Sequence, residues 1–281
     1  MPPISPLDDT MVNRAAPPGS MRYFSALYAP EEKRDSVMAL YVIDAEIRES
    51  AQNVNHDIAH TRVQWWRAEV DRLVNGAPQH PAMRVLDEQN GEGRAAFAKL
   101  HELLAAADMD LARMTYSNAR ELRAYCSRSG GSMMELIAAH LLSPQPLDET
   151  TRAFANRIGV GVRRTEILRD LRRDACDGRL YLPLDQMDSF GLTAADVCKR
   201  ETDPRVRNAV KSMRQIIDAE LDQTSPGVNT ATLRPLHVLA ALHRRLLDRM
   251  AARNYDVAPE RIELGPIEKP WIAWRAARRA S

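Results

Sequence analysis

The sequence predicts an all-α protein with a single domain. Aromatic residues make up only 5% of the 281 residues, and the alternation of apolar and polar residues that is typical of strands is hard to find. Alanine, leucine, arginine, glutamate and methionine dominate, and these residues favour helices. Between residues 22 and 260 we find no internal repeat and no linker long enough to mark a domain boundary. One helical domain is therefore the simplest organisation.

The charge balance and the cysteines restrict the class of protein. Lysine plus arginine number 39 and aspartate plus glutamate 38, a balance that argues against nucleic acid as a partner. Cys126, Cys176 and Cys198 lie far apart without metal-ligand spacing or a disulfide pattern, which favours a reducing compartment. We find no signal pattern at the N-terminus and no run of about 18 apolar residues. We expect a cytoplasmic protein that at most lies peripherally on the inner membrane surface.

The helices follow from apolar spacing and stop signals, in chain order. Residues 1–21 contain five prolines and little periodicity, so we expect a disordered N-terminal tail before a helical domain over 22–281. Pro30 opens a long helix that runs through Gln52, with acidic residues in its first turn. Further helices are predicted over 61–74, 82–89, 95–109, 118–127, 133–142, 192–196, 204–221 and 232–253. A glycine pair at 130–131 permits close approach of a ligand or another helix.

The stretch from Ile158 to Pro183 concentrates the candidate chemistry. On a helix of about 3.6 residues per turn, Glu166, Asp170 and Asp174 share one face, because they are spaced i, i+4 and i+8. Six arginines crowd the same stretch: Arg163, Arg164, Arg169, Arg172, Arg173 and Arg179. It offers acceptors for a hard cation and donors for a polyanion, which suits a diphosphate and its magnesium. The alternative is a solvent-exposed helix face on which the arginines form ion pairs with the carboxylates.

Residues along nearly the whole chain resemble the squalene and phytoene synthase family. The fullest match is to the second aspartate-rich segment of that family, at 165–183. Other matches follow the family's order and approximate spacing: Tyr23-Phe24-Ser25-Ala26, Ala39-Leu40-Tyr41, Arg62-Val63-Gln64-Trp65-Trp66-Arg67, His80-Pro81, Asp110-Leu111 and Tyr125-Cys126. The resemblance implies an isoprenoid synthase fold, in which helices surround a central cavity with two facing aspartate-rich motifs at its mouth.

The resemblance also implies an activity. Family members join two prenyl diphosphates head to head, while magnesium draws off one diphosphate and the cavity shields an allylic carbocation from water. Asp170 and Asp174 match the second motif, so we expect both to be catalytic and to hold Mg²⁺ with Glu166, which stands where asparagine is usual. The expected ligand is a prenyl diphosphate, and its predicted binding residues are Tyr41, Arg48, Gln52, Trp65, Arg163, Arg169, Arg179 and Tyr181.

The first aspartate-rich motif of the family is replaced in this chain. Where the family has two metal-facing aspartates four residues apart, the sequence has Arg48 and Gln52. Arg163 and Arg164 likewise stand where glutamine and leucine are usual. A cation therefore lies where the family places a carboxylate.

Two hypotheses follow from this replacement. In the first, arginines take over from one or two magnesium ions in a prenyltransferase that still binds a prenyl diphosphate, because guanidinium is a good bidentate partner of phosphate. In the second, Arg48 pairs with Asp170 and Asp174 across a vestigial mouth, and the fold is an interaction module. The chain also resembles a divergent branch that lacks the first motif and includes a mitochondrial respiratory complex I assembly factor, so a respiratory-complex partner is the alternative. An open apolar tunnel behind Arg48 would favour the first hypothesis.

The C-terminal segment combines aromatic and basic residues. Trp271 and Trp274 lie among Arg275, Arg278 and Arg279. This composition predicts either a terminal helix docked on the body or a contact with a membrane surface, which would suit a lipid substrate or a respiratory-complex partner.

Overall fold

The computed structural model describes residues 7–53, 55–224 and 227–280, and within these ranges the protein is all-α, as predicted, with no strand. The helices are α1 Asp9–Ala15, α2 Met21–Leu27, α3 Glu31–Ala51, α4 His56–Val74, α5 Pro81–Asn90, α6 Leu100–Leu111, α7 Ala119–Cys126, α8 Ser132–Leu142, α9 Glu149–Cys176, α10 Leu184–Ser189, α11 Ala194–Val197, α12 Pro204–Glu220, α13 Arg234–Ala252 and α14 Glu268–Arg279. A 3₁₀ segment, Gly91–Lys99, precedes α6, and a π-helical turn, Ser127–Gly131, follows α7. In the part of the chain so described, no helix is long and apolar enough to cross a membrane.

Capping side chains explain where several helices begin. Asn55 accepts hydrogen bonds from two backbone N–H groups of the first turn of α4, so this helix begins at His56 and not at the predicted residue 61. Thr193 forms a capping box with Asp196 at the start of α11, where the sequence predicts a short capped helix. The helix predicted over 95–109 begins late, because 3₁₀ turns precede α6.

The glycine pair at 130–131 lies inside a continuous helical segment. The π-helical turn joins α7 directly to α8, so the two helices predicted over 118–127 and 133–142 form one continuous segment. A Cβ atom on Gly130 would lie 2.2 Å from the carbonyl oxygen of Gly159 in α9, and one on Gly159 would lie 2.1 Å from that of Gly130. Only glycine permits such a close approach of two backbones. The partner that the glycine pair admits is therefore another helix.

The first residues that the structure describes form a helix. Asp8 caps α1, and Leu7, Ala15 and Ala16 are buried where this segment packs against the body, with α1 against α3. For residues 7–21, this packing corrects the expectation of a disordered tail. Residues 1–6 of that expectation lie outside the described residues.

Two long helices position the candidate site. Helix α3 has 21 residues and α9 has 28, and α8 packs against both. Helix α9 ends just before the Asp177-Gly178 turn that the sequence predicts, and Gly178 takes a positive φ of 81° there. The last turns of α3 and α9 face each other across a cavity that α13 also lines.

Candidate anion-binding site

A cavity of about 560 Å³ opens between the last turns of α3 and α9. Loop residues 17–20, helix α13 and the segment 261–264 contribute to its wall. Eight cationic side chains line it: Arg14, Arg22, Arg48, Arg163, Arg169, Arg173, Arg261 and Lys269. Four carboxylates oppose them: Glu49, Glu166, Asp170 and Glu263. This cavity, which we call the basic mouth, has the size of a small-molecule site and an excess of positive charge that favours an anionic ligand.

Arg48 is held by carboxylates of its own helix and of α9. Its Nε donates to Asp44 Oδ1 at 2.9 Å, and its Nη1 lies 3.7 Å from Glu166 Oε2. Arg22 donates to the other oxygen of Asp44 at 2.6 Å. Burial opposes the charge on Asp44, but the guanidinium groups of Arg48 and Arg22 hold the pKa of this carboxyl below its ordinary value. Arg48 is therefore a fixed cation at the mouth.

Glu166 lies between Arg48 and Arg163. Its Oε2 is 3.6 Å from Nη1 of Arg163, and its Oε1 is 3.9 Å from Nε2 of His243 in α13. Burial opposes ionisation, but His243 and the surrounding guanidinium groups hold the pKa of Glu166 well below its usual range. Glu166 is thus an ionised carboxylate that is already engaged by cations.

A buried network of hydroxyl groups supports Arg163. Its Nη2 donates to the Tyr125 hydroxyl at 2.7 Å, and its guanidinium lies 5.5 Å and 5.4 Å from the ring centroids of Tyr125 and Tyr181. The two hydroxyls donate to Asp110 at 3.0 Å and 2.7 Å. Burial opposes the charge on Arg163, but these partners raise its pKa well above the ordinary value. The network fixes the orientation of the guanidinium.

The two aspartates of α9 differ in their partners. Asp170 accepts hydrogen bonds from Arg169 at 2.6 Å and from Arg261 at 2.7 Å. Asp174 accepts from Arg173 at 3.0 Å. Burial opposes the charge on Asp170, but Arg261 and Arg169 hold its pKa below the ordinary value, whereas burial raises the pKa of Asp174. One turn of helix therefore separates a strongly paired carboxylate from a weakly paired one.

The contacts that separate the two sequence hypotheses give a mixed result. Arg48 pairs with Asp44 and Glu166, so the predicted ion pair of Arg48 with Asp170 or Asp174 is wrong. The open apolar tunnel that would favour the first hypothesis is not found behind Arg48 in the described part of the chain. The space behind Arg48 measures about 20 Å³, which holds roughly one water molecule. The mouth is open, but the interior behind it is filled.

The carboxylates of α9 do not fit a magnesium cluster. Mg²⁺ is bound through oxygen ligands in near-octahedral geometry, and no group of three or more metal-ligating side chains occurs among the described residues. Guanidinium groups engage both oxygens of Asp170, and Arg48 lies where the facing carboxylate would be needed. Magnesium stays a prediction from the resemblance, and no step proposed below passes through it.

The predicted site residues divide into three groups. Six of them line the mouth: Arg48, Gln52, Arg163, Glu166, Arg169 and Asp170. Two lie buried behind it: Tyr41, whose hydroxyl is 2.8 Å from that of Ser25, and Tyr181. Three do not line it: Asp174, Trp65 and Arg179. Trp65 borders a neighbouring cavity beside α4, and Arg179 pairs with Asp177 at 3.0 Å. Their contact with a substrate stays a prediction.

The sequence patterns did not identify three important residues of the mouth, Arg22, Arg261 and His243. Arg22 and Arg261 are far from the aspartate-rich stretch, and nothing in the sequence pattern marks either one as a partner of Asp44 or Asp170. His243 carried a signal, because it is a polar residue within the leucine stripe of α13, where it is 1% exposed. Two buried nitrogen atoms at the mouth, Arg163 Nε and His243 Nε2, have no hydrogen-bond partner among the described residues.

Sequence comparison identifies the family. The squalene/phytoene synthase family model matches residues 16–268. The chain belongs to this family. A phytoene synthase of Arabidopsis thaliana is 26% identical over 256 residues, which cover 88% of this chain and 60% of that protein. A phytoene synthase of Arthrospira platensis is 27% identical over 258 residues, covering 85% and 82%. The chain thus spans about three fifths of the length of this Arabidopsis relative and of several other plant relatives.

Solved structures of a dehydrosqualene synthase and a squalene synthase share the fold. A dehydrosqualene synthase crystallised with a ligand superposes with a TM-score of 0.77 at 16% identity, covering 96% of this chain and 95% of that one. A squalene synthase from Alicyclobacillus acidocaldarius gives a TM-score of 0.72 at 18% identity, covering 88% and 92%. These likenesses confirm the isoprenoid synthase fold that the sequence predicts.

Proposed function

We propose that this member of the squalene/phytoene synthase family binds a prenyl diphosphate at the basic mouth, with guanidinium groups as the main partners of the diphosphate. One observation carries the proposal: eight cationic side chains face four carboxylates around a cavity of about 560 Å³. A diphosphate has several negative oxygens within a few ångströms, and arginine binds such groups through paired, charge-assisted hydrogen bonds.

Arg48 and Arg163 are the central partners in this proposal. Both border the mouth, and both approach Glu166 Oε2, at 3.7 Å and 3.6 Å. These separations are longer than a direct hydrogen bond, so each guanidinium keeps donor capacity for a ligand.

The hydrocarbon chain of the prenyl diphosphate contacts apolar side chains of the mouth in this proposal. Apolar side chains line part of the mouth: Pro17, Met21, Ala45, Leu246, Ile262 and Leu264. The interior cavity of about 20 Å³ is too small for a prenyl chain, so the chain either lies along this outer surface or displaces interior side chains. A peripheral membrane location fits such an amphiphilic ligand.

Head-to-head condensation of two prenyl diphosphates is the reaction we propose for the bound ligand. In its first step, the bond between C1 and the diphosphate oxygen of one molecule breaks, and the diphosphate keeps the electron pair. Arg48 and Arg163 would neutralise the charge that develops on the leaving oxygen, which is electrostatic stabilisation by preorganised donors. The allylic C1 then bonds to a double-bond carbon of the second molecule, and a proton is lost.

A calorimetric titration with farnesyl diphosphate tests the proposal. We expect binding in EDTA, and Arg48→Gln should weaken it by at least about tenfold, since a hydrogen bond to a charged group contributes about 1.5–3 kcal/mol. Arg179→Gln is the matched control, because Arg179 does not line the mouth. Product formation is measured separately by extracting apolar compounds after incubation. Absence of binding both in EDTA and with Mg²⁺ would refute the proposal.

A second candidate function is a non-catalytic interaction protein, including a role in respiratory complex I assembly. The filled interior favours it, because a space of about 20 Å³ cannot shield a reacting prenyl chain. Under this alternative, prenyl diphosphates give no product, and deletion of the gene lowers complex I levels. Normal complex I levels in the deletion strain would count against it.

A further inference from the structure

Helix α14 packs with its small residues inward and its large residues outward. Ala273, Ala276, Ala277 and Ala280 are buried, and α14 packs against α13 and α2. Trp271 and Trp274 point away from this interface and are 56% and 41% exposed. A helix that docks on a globular body usually turns its largest apolar side chains toward the core. The exposed tryptophans are therefore not needed to attach α14.

The exposed apolar residues share one face of α14. Ile267, Trp271 and Trp274 are spaced i, i+4 and i+7, and Ile267 is 84% exposed. The two indole rings stack with centroids 5.1 Å apart, and the Arg278 guanidinium lies 5.0 Å from the ring centroid of Trp274. These contacts form one continuous aromatic surface with a cation at its edge.

The charge around this surface is positive. Arg275, Arg278 and Arg279 are exposed, and none of them forms an ion pair with a carboxylate in the described part of the chain. The one acid of α14, Glu268, is engaged by Arg245 at 2.5 Å and Arg249 at 2.7 Å on α13. The negative charge of Glu268 is therefore already compensated by two arginines of α13.

We propose that this face of α14 docks on an anionic lipid bilayer. Tryptophan partitions to the boundary between headgroups and acyl chains, and flanking arginines are attracted to anionic headgroups. The uncompensated cations complement such a surface, whereas a protein partner would have to supply both an apolar pocket and several carboxylates. Lys269, in the first turn of α14, lines the basic mouth, so docking would bring the mouth close to the membrane. The docking stands independently of the proposed function.

Vesicle co-sedimentation tests the docking. The full chain is mixed with phosphatidylcholine vesicles that contain or lack phosphatidylglycerol, at low and at high salt. We expect binding to the anionic vesicles at low salt and loss of most of it at high salt. The double variant Trp271→Ala, Trp274→Ala should lower the partition coefficient by at least about tenfold, because each indole loses its burial in the lipid interface.

Matched variants keep this test decisive. Trp65→Ala removes an indole that is also 41% exposed but lies on α4, and it should bind vesicles like the wild type. Arg275→Glu with Arg278→Glu should abolish the preference for anionic vesicles, while Arg120→Glu with Arg200→Glu, which changes the net charge equally at other exposed positions, should not. Thermal unfolding of every variant checks that the fold is intact. The proposal is overturned if the wild type does not bind anionic vesicles, or if the double tryptophan variant binds them equally well.

Discussion

The last turns of α3 and α9 face each other across the same cavity, but the two helices present different charged residues to it. Helix α9 carries the carboxylates Glu166, Asp170 and Asp174, whereas α3 carries Arg48 and Gln52. The comparison teaches that the chemistry of a carboxylate depends on which cations the packing brings to it. Glu166 faces Arg48 of α3, whereas Asp170 and Asp174 hold arginines of α9 itself and of the segment 261–264.

The same contrast recurs between neighbouring turns of α9. Asp170 has three guanidinium partners, from Arg169, Arg173 and Arg261, and a lowered pKa. Asp174 has Arg173 as its partner and a raised pKa. Burial raises the pKa of both carboxyls, and only at Asp170 do the nearby cations outweigh it.

The largest expected effect is on stability, at Arg163. Replacing this buried cation with methionine leaves Glu166 with one fewer partner and the Tyr125 hydroxyl without its donor. We expect the free energy of unfolding to fall by about 3–5 kcal/mol, as for removal of one member of a buried ion pair. Urea unfolding measures this change. Arg173→Met, at a largely exposed arginine of the same helix, is the control and should cost much less. Equal losses would contradict the central role of Arg163.

Placing carboxylates on α3 should change the ligand chemistry of the mouth. In the double variant Arg48→Asp, Gln52→Asp, we expect pyrophosphate binding in EDTA to weaken by at least about tenfold, because a phosphate partner becomes a like charge. Magnesium should restore binding to this variant more than to the wild type, because facing carboxylates supply oxygen ligands. Calorimetry with and without Mg²⁺ measures both effects, and Arg200→Asp with Gln145→Asp, at exposed positions away from the mouth, makes the same change in net charge as a control. Unchanged pyrophosphate binding in EDTA would contradict the proposed role of Arg48 as a phosphate partner.

A smaller effect is expected on the acid stability of the fold. The folded-state pKa of Glu166 is depressed, so its stabilisation is present above the unfolded pKa of about 4.3 and is lost as the pH falls toward the folded value. One such group adds at most about 1.4 kcal/mol per pH unit to the slope. Glu166→Gln should therefore flatten the fall of stability below about pH 4.3. Urea unfolding across this range measures the slope, and Glu49→Gln, on an exposed carboxylate, should leave it unchanged.

The fold class, the main helices and the aspartate-rich stretch could be predicted from sequence because each depends on local signals. Apolar spacing marks the buried faces of α3 and α13, and Asp177-Gly178 marks the end of α9. The π-helical turn at the glycine pair could not be predicted, because the same dipeptide also occurs in loops. The short helix α1 was missed for a related reason, since its stability comes from packing on α3.

By itself, the sequence determined that residue 48 is a cation, that Glu166, Asp170 and Asp174 form one acidic stripe on α9, and that tryptophans and arginines gather near the C-terminus. Only the tertiary structure decided which charges meet. Arg261 reaches Asp170 across 91 positions, and Arg22 reaches Asp44 from a neighbouring helix. Ion pairs form between side chains that packing brings within a few ångströms, and sequence separation places no limit on that distance. The tertiary structure likewise decided that the α14 tryptophans face outward, because the opposite, alanine-bearing face of the helix packs against α13 and α2.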